Sequence, residues 1–325
     1  MSRLFKYIYI SLCFAITTLA ATVLRAGRPE KGYILTTQWT AQSQFAGYIV
    51  AEKDGLFKNE GIDVTVHFHD SINNPVDLLR EGKTQFAVMP LIDALEARLA
   101  GFRLVNIMQI IHQSSYCIAS HKPILSMEDL RGEEIAIWHG LSDVMKGIYN
   151  VRTGGTVKWL EVFSGIEVFT AGAADNLLVT SYNEAKELED IGYIIEPENL
   201  ARHVNLGLNI VEDGIYVTEE FYKSHAEVIE RFVKALTAGW NSVYENREHA
   251  LDLVLAEMER CDLPHNRHHE SRALEELLRL ISPKGGLPQD YSLTEQEFKA
   301  AVGIMKEAGI IRGAVPFTYK EFTKR

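Results

Sequence analysis

The sequence predicts an α/β molecule of two lobes, each built on a parallel sheet, with a ligand cleft between them and a helical C-terminal region. Three observations carry this. Short apolar runs alternate with helical segments from residue 33 onward, a second alternation begins near Tyr116, and beyond Gly214 the texture turns mostly helical. The 325 residues are enough for two domains, each with its own core.

Tyr33–Gln38 reads as a strand, and Ser43–Phe57 as a helix turning Phe45, Ile49 and Phe57 towards a core. Asp63–Phe68 alternates like a strand, and Pro75–Glu81 is a short helix with proline in its first turn. Phe86–Met89 is a strand, Leu91–Ala100 a helix and Leu104–Ile111 a strand. In the second unit Met127–Leu130 is a helical turn, Glu134–Trp138 a strand, Ser142 to about Arg152 a helix and Leu177–Tyr182 a strand. Glu219–His225, Val228–Asn246, Glu248–Arg260 and His269–Ile281 follow as helices. The last helix, Thr294–Ala308, starts with a capping box between Thr294 and Glu297 and stops at Gly309.

Composition excludes several function classes. Charged residues at 24% and aromatics at 10% are globular values, so the chain is not broadly disordered. A net charge of -11 without basic clusters argues against nucleic acid as a partner. Three cysteines cannot build a disulfide scaffold. In an exported chain Cys117 and Cys261 have the option of one disulfide, but two separate, small buried residues is the preferred reading.

Residues 1–27 are different in kind. Arg3 and Lys6 precede an apolar run from Tyr7 to Leu24, and no acidic residue occurs before Glu30. This is the pattern of a secretory signal peptide, with small residues at Thr18-Leu19-Ala20 and again at Arg25-Ala26-Gly27. At about 18 residues the run also has the length of an uncleaved membrane anchor, the alternative outcome. Leu12 before Cys13 does not fit a lipoprotein signal. Loss of residues 1–20 removes two basic and no acidic groups, leaving a net charge near -13.

The candidate chemistry sits at strand-to-helix junctions. Gln38-Trp39-Thr40-Ala41-Gln42-Ser43 offers an indole and two possible helix caps, Thr40 and Ser43. Trp138-His139-Gly140-Leu141-Ser142 repeats the arrangement in the second unit. Taken singly, each tryptophan is ordinary packing. One such turn per lobe suggests a flat ligand held across a cleft. Tyr182-Asn183-Glu184 closes a strand, where a carboxylate is either a solvated surface group or an acceptor for an amino or ring N–H. No lysine or arginine lies between Ile135 and Met145 to bind an anion, although helix N-termini do so alone. His67 and His69 on a strand, and His265, His268 and His269 with Glu270 in a loop, lack the spacing of a zinc motif. The sequence contains no GxSxG, P-loop, GxGxxG or HExxH, so neither a cofactor nor a catalytic residue can be named.

Trp39-Thr40-Ala41, then Phe45-Ala46-Gly47-Tyr48-Ile49-Val50-Ala51 and Lys53-Asp54-Gly55-Leu56-Phe57-Lys58-Asn59-Glu60-Gly61-Ile62-Asp63-Val64, resemble the opening of the NMT1/THI5-like (SsuA/THI5-like) family. Those are periplasmic substrate-binding proteins of ABC transporters, carrying thiamine-pyrimidine precursors, riboflavin, sulfonates or nitrate. Ser126-Met127-Glu128-Asp129-Leu130-Arg131-Gly132 with Ile135-Ala136-Ile137-Trp138 is similar to the family's start of the second lobe, and Tyr182-Asn183-Glu184 looks like the pyrimidine-binding subgroup's tyrosine and glutamate. The resemblance covers roughly residues 33–245 and implies a type II periplasmic-binding-protein fold. Lobe one is then 28–115 plus 211–325, and lobe two 116–210.

By the same resemblance Trp39 stacks on the ligand and Glu184 accepts its amino group. Tyr116, Trp138, Gly140, Ser142, Tyr182 and Asn183 complete the cleft. The expected function is an exported, monomeric, non-enzymatic protein that captures a hydroxymethyl- or formylamino-aminopyrimidine and hands it to an inner-membrane ABC permease. The alternatives are a sulfonate, nitrate or riboflavin ligand in the same fold, or a ligand-sensing module for a signalling partner. A pyrimidine-synthesis enzyme, as in fungal members of the family, is disfavoured. There is no cysteine cluster, and Pro90–Leu104 holds neither lysine nor histidine. The sequence departs from the family at His139-Gly140-Leu141-Ser142-Asp143 and over Thr153–Gly172.

Overall fold

The structure, a computed structural model, describes residues 32–69, 74–139, 141–163, 165–193, 196–288 and 290–324. The segment expected to be a signal peptide, with Cys13, lies outside the described residues, as does Gly140. Among the described residues no helix is long and apolar enough to cross a membrane.

The first elements are β1 (Tyr33–Thr36), α1 (Ala46–Lys53), α2 (Leu56–Asn59), β2 (Val64–His67), α3 (Pro75–Arg80), β3 (Phe86–Pro90), α4 (Leu91–Leu99) and β4 (Leu104–Gln109). The chain then makes β5 (Tyr116–Ser120), β6 (Glu134–Trp138), α5 (Asp143–Thr153), β7 (Lys158–Val162), α6 (Glu167–Thr170), β8 (Asn176–Thr180), α7 (Glu184–Asp190) and β9 (Leu200–Arg202). It returns through β10 (Asp213–Thr218) and closes with α8 (Glu219–Ser224), α9 (Ala226–Glu245), α10 (Arg247–Arg260), α11 (Arg267–Ile281), α12 (Glu295–Glu307) and α13 (Tyr319–Thr323).

Two five-stranded sheets result, in the orders β2-β1-β3-β10-β4 and β7-β6-β8-β5-β9. The expected all-parallel sheets are in fact mixed. β10 runs antiparallel to β3 and β4, and β5 antiparallel to β8 and β9. The reason is topological. β5 and β10 are the strands that enter a sheet just after the chain has crossed from the other one. Each crossing is made at the edge where the parallel strands end, so the entering strand must run back against its neighbours. Tyr116 therefore lies opposite Thr180 at the end of β8, and Asp213 opposite Pro90 at the end of β3. The first residues of both entering strands are thereby delivered to the same C-terminal edge as the strand-to-helix loops.

Several helix boundaries shift from expectation. The Ser43–Phe57 helix is three pieces, a 3-10 turn Ser43–Phe45, then α1, then α2. The break falls at Gly55, whose φ of 70° is open to glycine at no steric cost. The capping box of Thr294 and Glu297 forms, as does a second between Ser126 and Asp129. His268, His269 and Glu270 sit in the first turn of α11, not in a loop.

One core lies between the first sheet and α1, α9, α10 and α11, where Phe232 stacks on Phe86 (3.8 Å between ring centres). Its tightest seam is α1 against α9. A Cβ on Gly47 would penetrate the Trp240 ring, and one on Gly239 would stand 2.5 Å from the Gly47 carbonyl oxygen. A second core runs continuously from the other face of the first sheet, through α4, α5, α12 and α13, to one face of the second sheet. The outer face of the second sheet has a smaller core of alanine, valine and leucine with Phe169. Cys117 and Cys261 are both free thiols, the first buried and the second half-buried.

Candidate functional site

The first-sheet wall is set by the turn after β1. The Thr37 hydroxyl donates to the Trp39 carbonyl (2.7 Å) and its N–H to the His67 carbonyl (3.0 Å), which leaves the Trp39 indole 36% exposed. Gln38 and Gln44 each donate a side-chain N–H to Asp213, at 2.6 and 2.8 Å, one to each carboxylate oxygen. Ser43, expected as a helix cap, instead donates its N–H to the Glu270 carboxylate (2.8 Å) and its hydroxyl to the Glu270 carbonyl (2.9 Å). The Trp39 loop is thus tied to β10 on one side and α11 on the other.

The second-sheet wall is aromatic. Tyr116 at the start of β5 and Trp138 at the end of β6 have ring centres 6.1 Å apart. Ser142 caps α5 by accepting from the Val144 N–H (3.1 Å), and its hydroxyl donates across to Glu96 of α4 (3.3 Å). Tyr182 is buried, at 6% exposure. Glu184 opens α7 and turns back on β8, where one oxygen accepts from the Thr180 N–H (2.9 Å) and hydroxyl (2.6 Å). Its other oxygen accepts from the Asn183 side chain (3.2 Å).

Between the walls stand carboxylates that sequence reasoning missed. Glu212 accepts from the Ser115 N–H (2.5 Å) and hydroxyl (2.9 and 2.8 Å), and burial pushes its pKa up to about 8 against those hydrogen bonds. Burial pushes Asp213 up to about 6, opposed by Gln44 and Gln38. Burial, then the charges of Glu96 and Asp213, push Asp93 up to about 7. Burial also raises Glu96, opposed by the Ser142 hydrogen bond. Tyr116 and Tyr182 are raised first by burial and then by nearby carboxylates, Glu212, Asp93, Asp213 and Glu184 for Tyr116 and Glu212, Asp213 and Glu184 for Tyr182. None of the charges that bear most on Asp93, Tyr116, Tyr182, Glu212 and Asp213 belongs to lysine or arginine.

Of the residues expected in the cleft, Tyr116, Trp138, Ser142, Tyr182, Asn183 and Glu184 share the C-terminal edge of the second sheet, and Trp39 lies at that edge of the first. Asn183 makes a further contact, accepting at its side-chain oxygen from the His269 ring (3.1 Å). The signal for Glu212 and Asp213 was present in the sequence. Two adjacent carboxylates precede Gly214-Ile215-Tyr216-Val217, an apolar run that reads as a strand once its place beside β3 is known. Among the described residues no group of three or more His, Cys, Asp and Glu side chains is placed to hold a metal ion.

Residues 42–250 match the family described as NMT1/THI5 like. The chain is 27% identical over 258 residues to the riboflavin-binding protein RibY of Chloroflexus aurantiacus, covering 74% of this chain and 71% of that one. It is 23% identical over 291 residues to the formylaminopyrimidine-binding protein of Halalkalibacterium halodurans, covering 85% and 87% respectively. Among solved structures it is similar to the alkanesulfonate-binding protein SsuA from Xanthomonas axonopodis pv. citri bound to MOPS, with a TM-score of 0.63 and 14% identity over 89% of this chain and 97% of that one. That likeness shows the periplasmic-binding-protein fold; the ligand is a separate question.

Proposed function

The chain belongs to the NMT1/THI5-like family, and we propose that it is an exported substrate-binding protein that captures an amino-bearing pyrimidine precursor of thiamine and delivers it to an ABC permease. In this reading it works as a monomer in the periplasm, after export directed by residues 1–27, and performs no catalysis. Lobe one is 28–115 plus 211–325, and lobe two is 116–210. Trp39 stacks on one face of the ring and Tyr116 and Trp138 line the other, with Gly140, Ser142 and Tyr182 closing the sides. Glu184, oriented by Asn183, accepts the exocyclic amino group.

The observation that carries this reading is the Glu184 carboxylate, held by Thr180 and Asn183 at the same sheet edge as the Tyr116 and Trp138 rings. Glu212, Asp213 and Asp93 are further carboxyl groups between the sheets, and no lysine or arginine is among the groups that shift them. A carboxylate wants hydrogen-bond donors, which an aminopyrimidine supplies. A sulfonate or nitrate finds no lysine or arginine among the groups that shift Glu212, Asp213 and Asp93 to pair it, so those anions are disfavoured. Riboflavin is the second reading, favoured by the identity to RibY. It too is a flat heterocycle, with one ring N–H donor in place of an exocyclic amino group.

Titration of the purified protein, lacking residues 1–27, with hydroxymethyl-aminopyrimidine, formylamino-aminopyrimidine, riboflavin and an alkanesulfonate separates these. Tryptophan quenching and a thermal shift at micromolar aminopyrimidine, with no response to sulfonate, are expected. Saturable binding of sulfonate alone would refute the donor-seeking cleft, and binding of riboflavin alone would move the ligand to the second reading.

A further inference from the structure

Adjacent residues at the start of α11 reach both walls of the cleft. Glu270 holds the backbone and hydroxyl of Ser43 beside the Trp39 loop, at 2.8 and 2.9 Å. One position earlier, the His269 ring lies between two side chains of the second lobe. Its Nδ1 faces the Asp190 carboxylate at 3.0 Å, and its Nε2 faces the Asn183 side-chain oxygen at 3.1 Å. The His269 and Asp190 side chains are 17% and 18% exposed, so solvent competes weakly for either contact.

The direction of the Asn183 amide follows from chemistry. Its other end meets a Glu184 carboxylate oxygen at 3.2 Å, and a carboxylate only accepts, so the amide nitrogen must point there and the amide oxygen towards His269. The second Glu184 oxygen is already pinned to Thr180. With the amide fixed, both carboxylate oxygens have defined directions for their remaining lone pairs. Without the ring, the amide can rotate, and the first oxygen loses the donor that fixes which of its lone pairs stays free.

We propose that His269 is a positioning residue for ligand capture: through the Asn183 amide it fixes the direction in which the Glu184 carboxylate faces the cleft. The effect reaches Glu184 from α11, a helix that also holds the Trp39 loop, so one helical turn sets the orientation of both walls. Arg272, one turn further on, pairs with Glu189 and Asp190 and keeps α11 seated on α7. A salt bridge between α11 and α7 therefore remains when the ring is altered.

The proposal rests on the reading that Glu184 receives the ligand, and the test separates the two. In glutamine the side-chain nitrogen reaches the place of Nε2, and in asparagine the place of Nδ1. His269→Gln therefore keeps a donor to Asn183 and gives up the one to Asp190, while His269→Asn does the opposite. Affinity for formylamino-aminopyrimidine and for riboflavin is measured by calorimetry on wild type, His269→Gln, His269→Asn and Glu184→Gln, with melting temperatures alongside. His269→Asn is expected to bind about tenfold more weakly and His269→Gln within about twofold of wild type, at similar melting temperatures. Wild-type affinity in His269→Asn, or equal losses in both variants that track their melting temperatures, would overturn the proposal.

If Glu184→Gln weakens binding and His269→Asn does not, the positioning role fails and the ligand reading stands. If neither probe binds wild type, the ligand reading fails on its own. The Asn183 side-chain amide signals in the ligand-free NMR spectrum then decide: a shift in His269→Asn but not in His269→Gln supports positioning, and no shift in His269→Asn refutes it.

Discussion

The two sheets have the same strand scheme but bring opposite chemistry to the cleft. In each, the strand that enters from the other lobe runs antiparallel and starts at the cleft edge. β5 brings Tyr116, preceded by the hydroxyls of Ser114 and Ser115, whereas β10 brings two adjacent carboxylates, Glu212 and Asp213. The first-sheet side is clamped by amide donors and backed by stacked aromatic rings. The second-sheet side presents rings and is backed by smaller side chains, with β7 half-buried at its edge. A topology that is forced by where the chain crosses thus fixes which residues reach the cleft, and leaves their chemistry free to vary.

The difference in backing is tested most severely by adding one carbon to each side. Gly47→Ala in α1 drives a methyl into the Trp240 ring, and a cost of about 3 kcal/mol, or failure to fold, is expected in urea unfolding. Gly147→Ala in α5 brings its methyl to 2.9 Å from the Ala308 backbone carbonyl oxygen, which has to shift, so it should cost about 1–2 kcal/mol, less than at Gly47, once the helical preference for alanine is counted. A larger loss at Gly147 would reverse the ranking of the two sides.

The charged wall should also make stability depend on pH in an unusual sense. Glu212 at about 8, Asp93 at about 7 and Asp213 at about 6 all lie above their ordinary values of 4.5, 3.8 and 3.8. The folded chain therefore holds protons that the unfolded chain has released, and their contribution is complete below about pH 4 and lost as pH rises to 8. The ligand-free protein is expected to lose several kcal/mol of stability between pH 5 and pH 8 from these groups. Glu212→Gln should flatten that slope, while Tyr116→Phe on the opposite wall should leave it nearly unchanged. Equal flattening by both would break the division of roles.

For binding, Trp39→Ala and Glu184→Gln each remove one partner of the proposed ligand, and losses of about 1–2 kcal/mol in affinity are expected by calorimetry. The smallest effect belongs to the exposed contacts joining the lobes. Arg272→Ala, which unpairs Glu189 and Asp190, should cost under about 1 kcal/mol of stability and fade in high salt.

Much of the fold was legible because its elements carry local signals. Glu134–Trp138 has the same bounds in sequence and structure, and the capping box of Thr294 marks its helix start to the residue. β10 was not legible as a member of the first sheet, because the sequence places Asp213–Thr218 directly before a helical run and says nothing of the neighbours β3 and β4. β7 was missed as well. Its half-buried positions give a weak alternation that does not stand out between two glycine-bearing turns. Within the site, the tryptophans and the Tyr182-Asn183-Glu184 triplet could be singled out by position in a junction, while Glu212, Asp213 and His269 looked like ordinary surface polar residues.

By itself the sequence determined the α/β class, the alternation of strands and helices, and the strand-to-helix junctions that hold the aromatic residues, since periodicity, caps and turns act over a few residues. Only the tertiary structure decided that the sheets are mixed, that Glu212 and Asp213 are buried beside Tyr116 and Tyr182, and that His269 reaches Asn183 across 86 positions of chain. Those are consequences of where two distant segments meet, and burial and hydrogen bonding between them have no imprint in either segment alone.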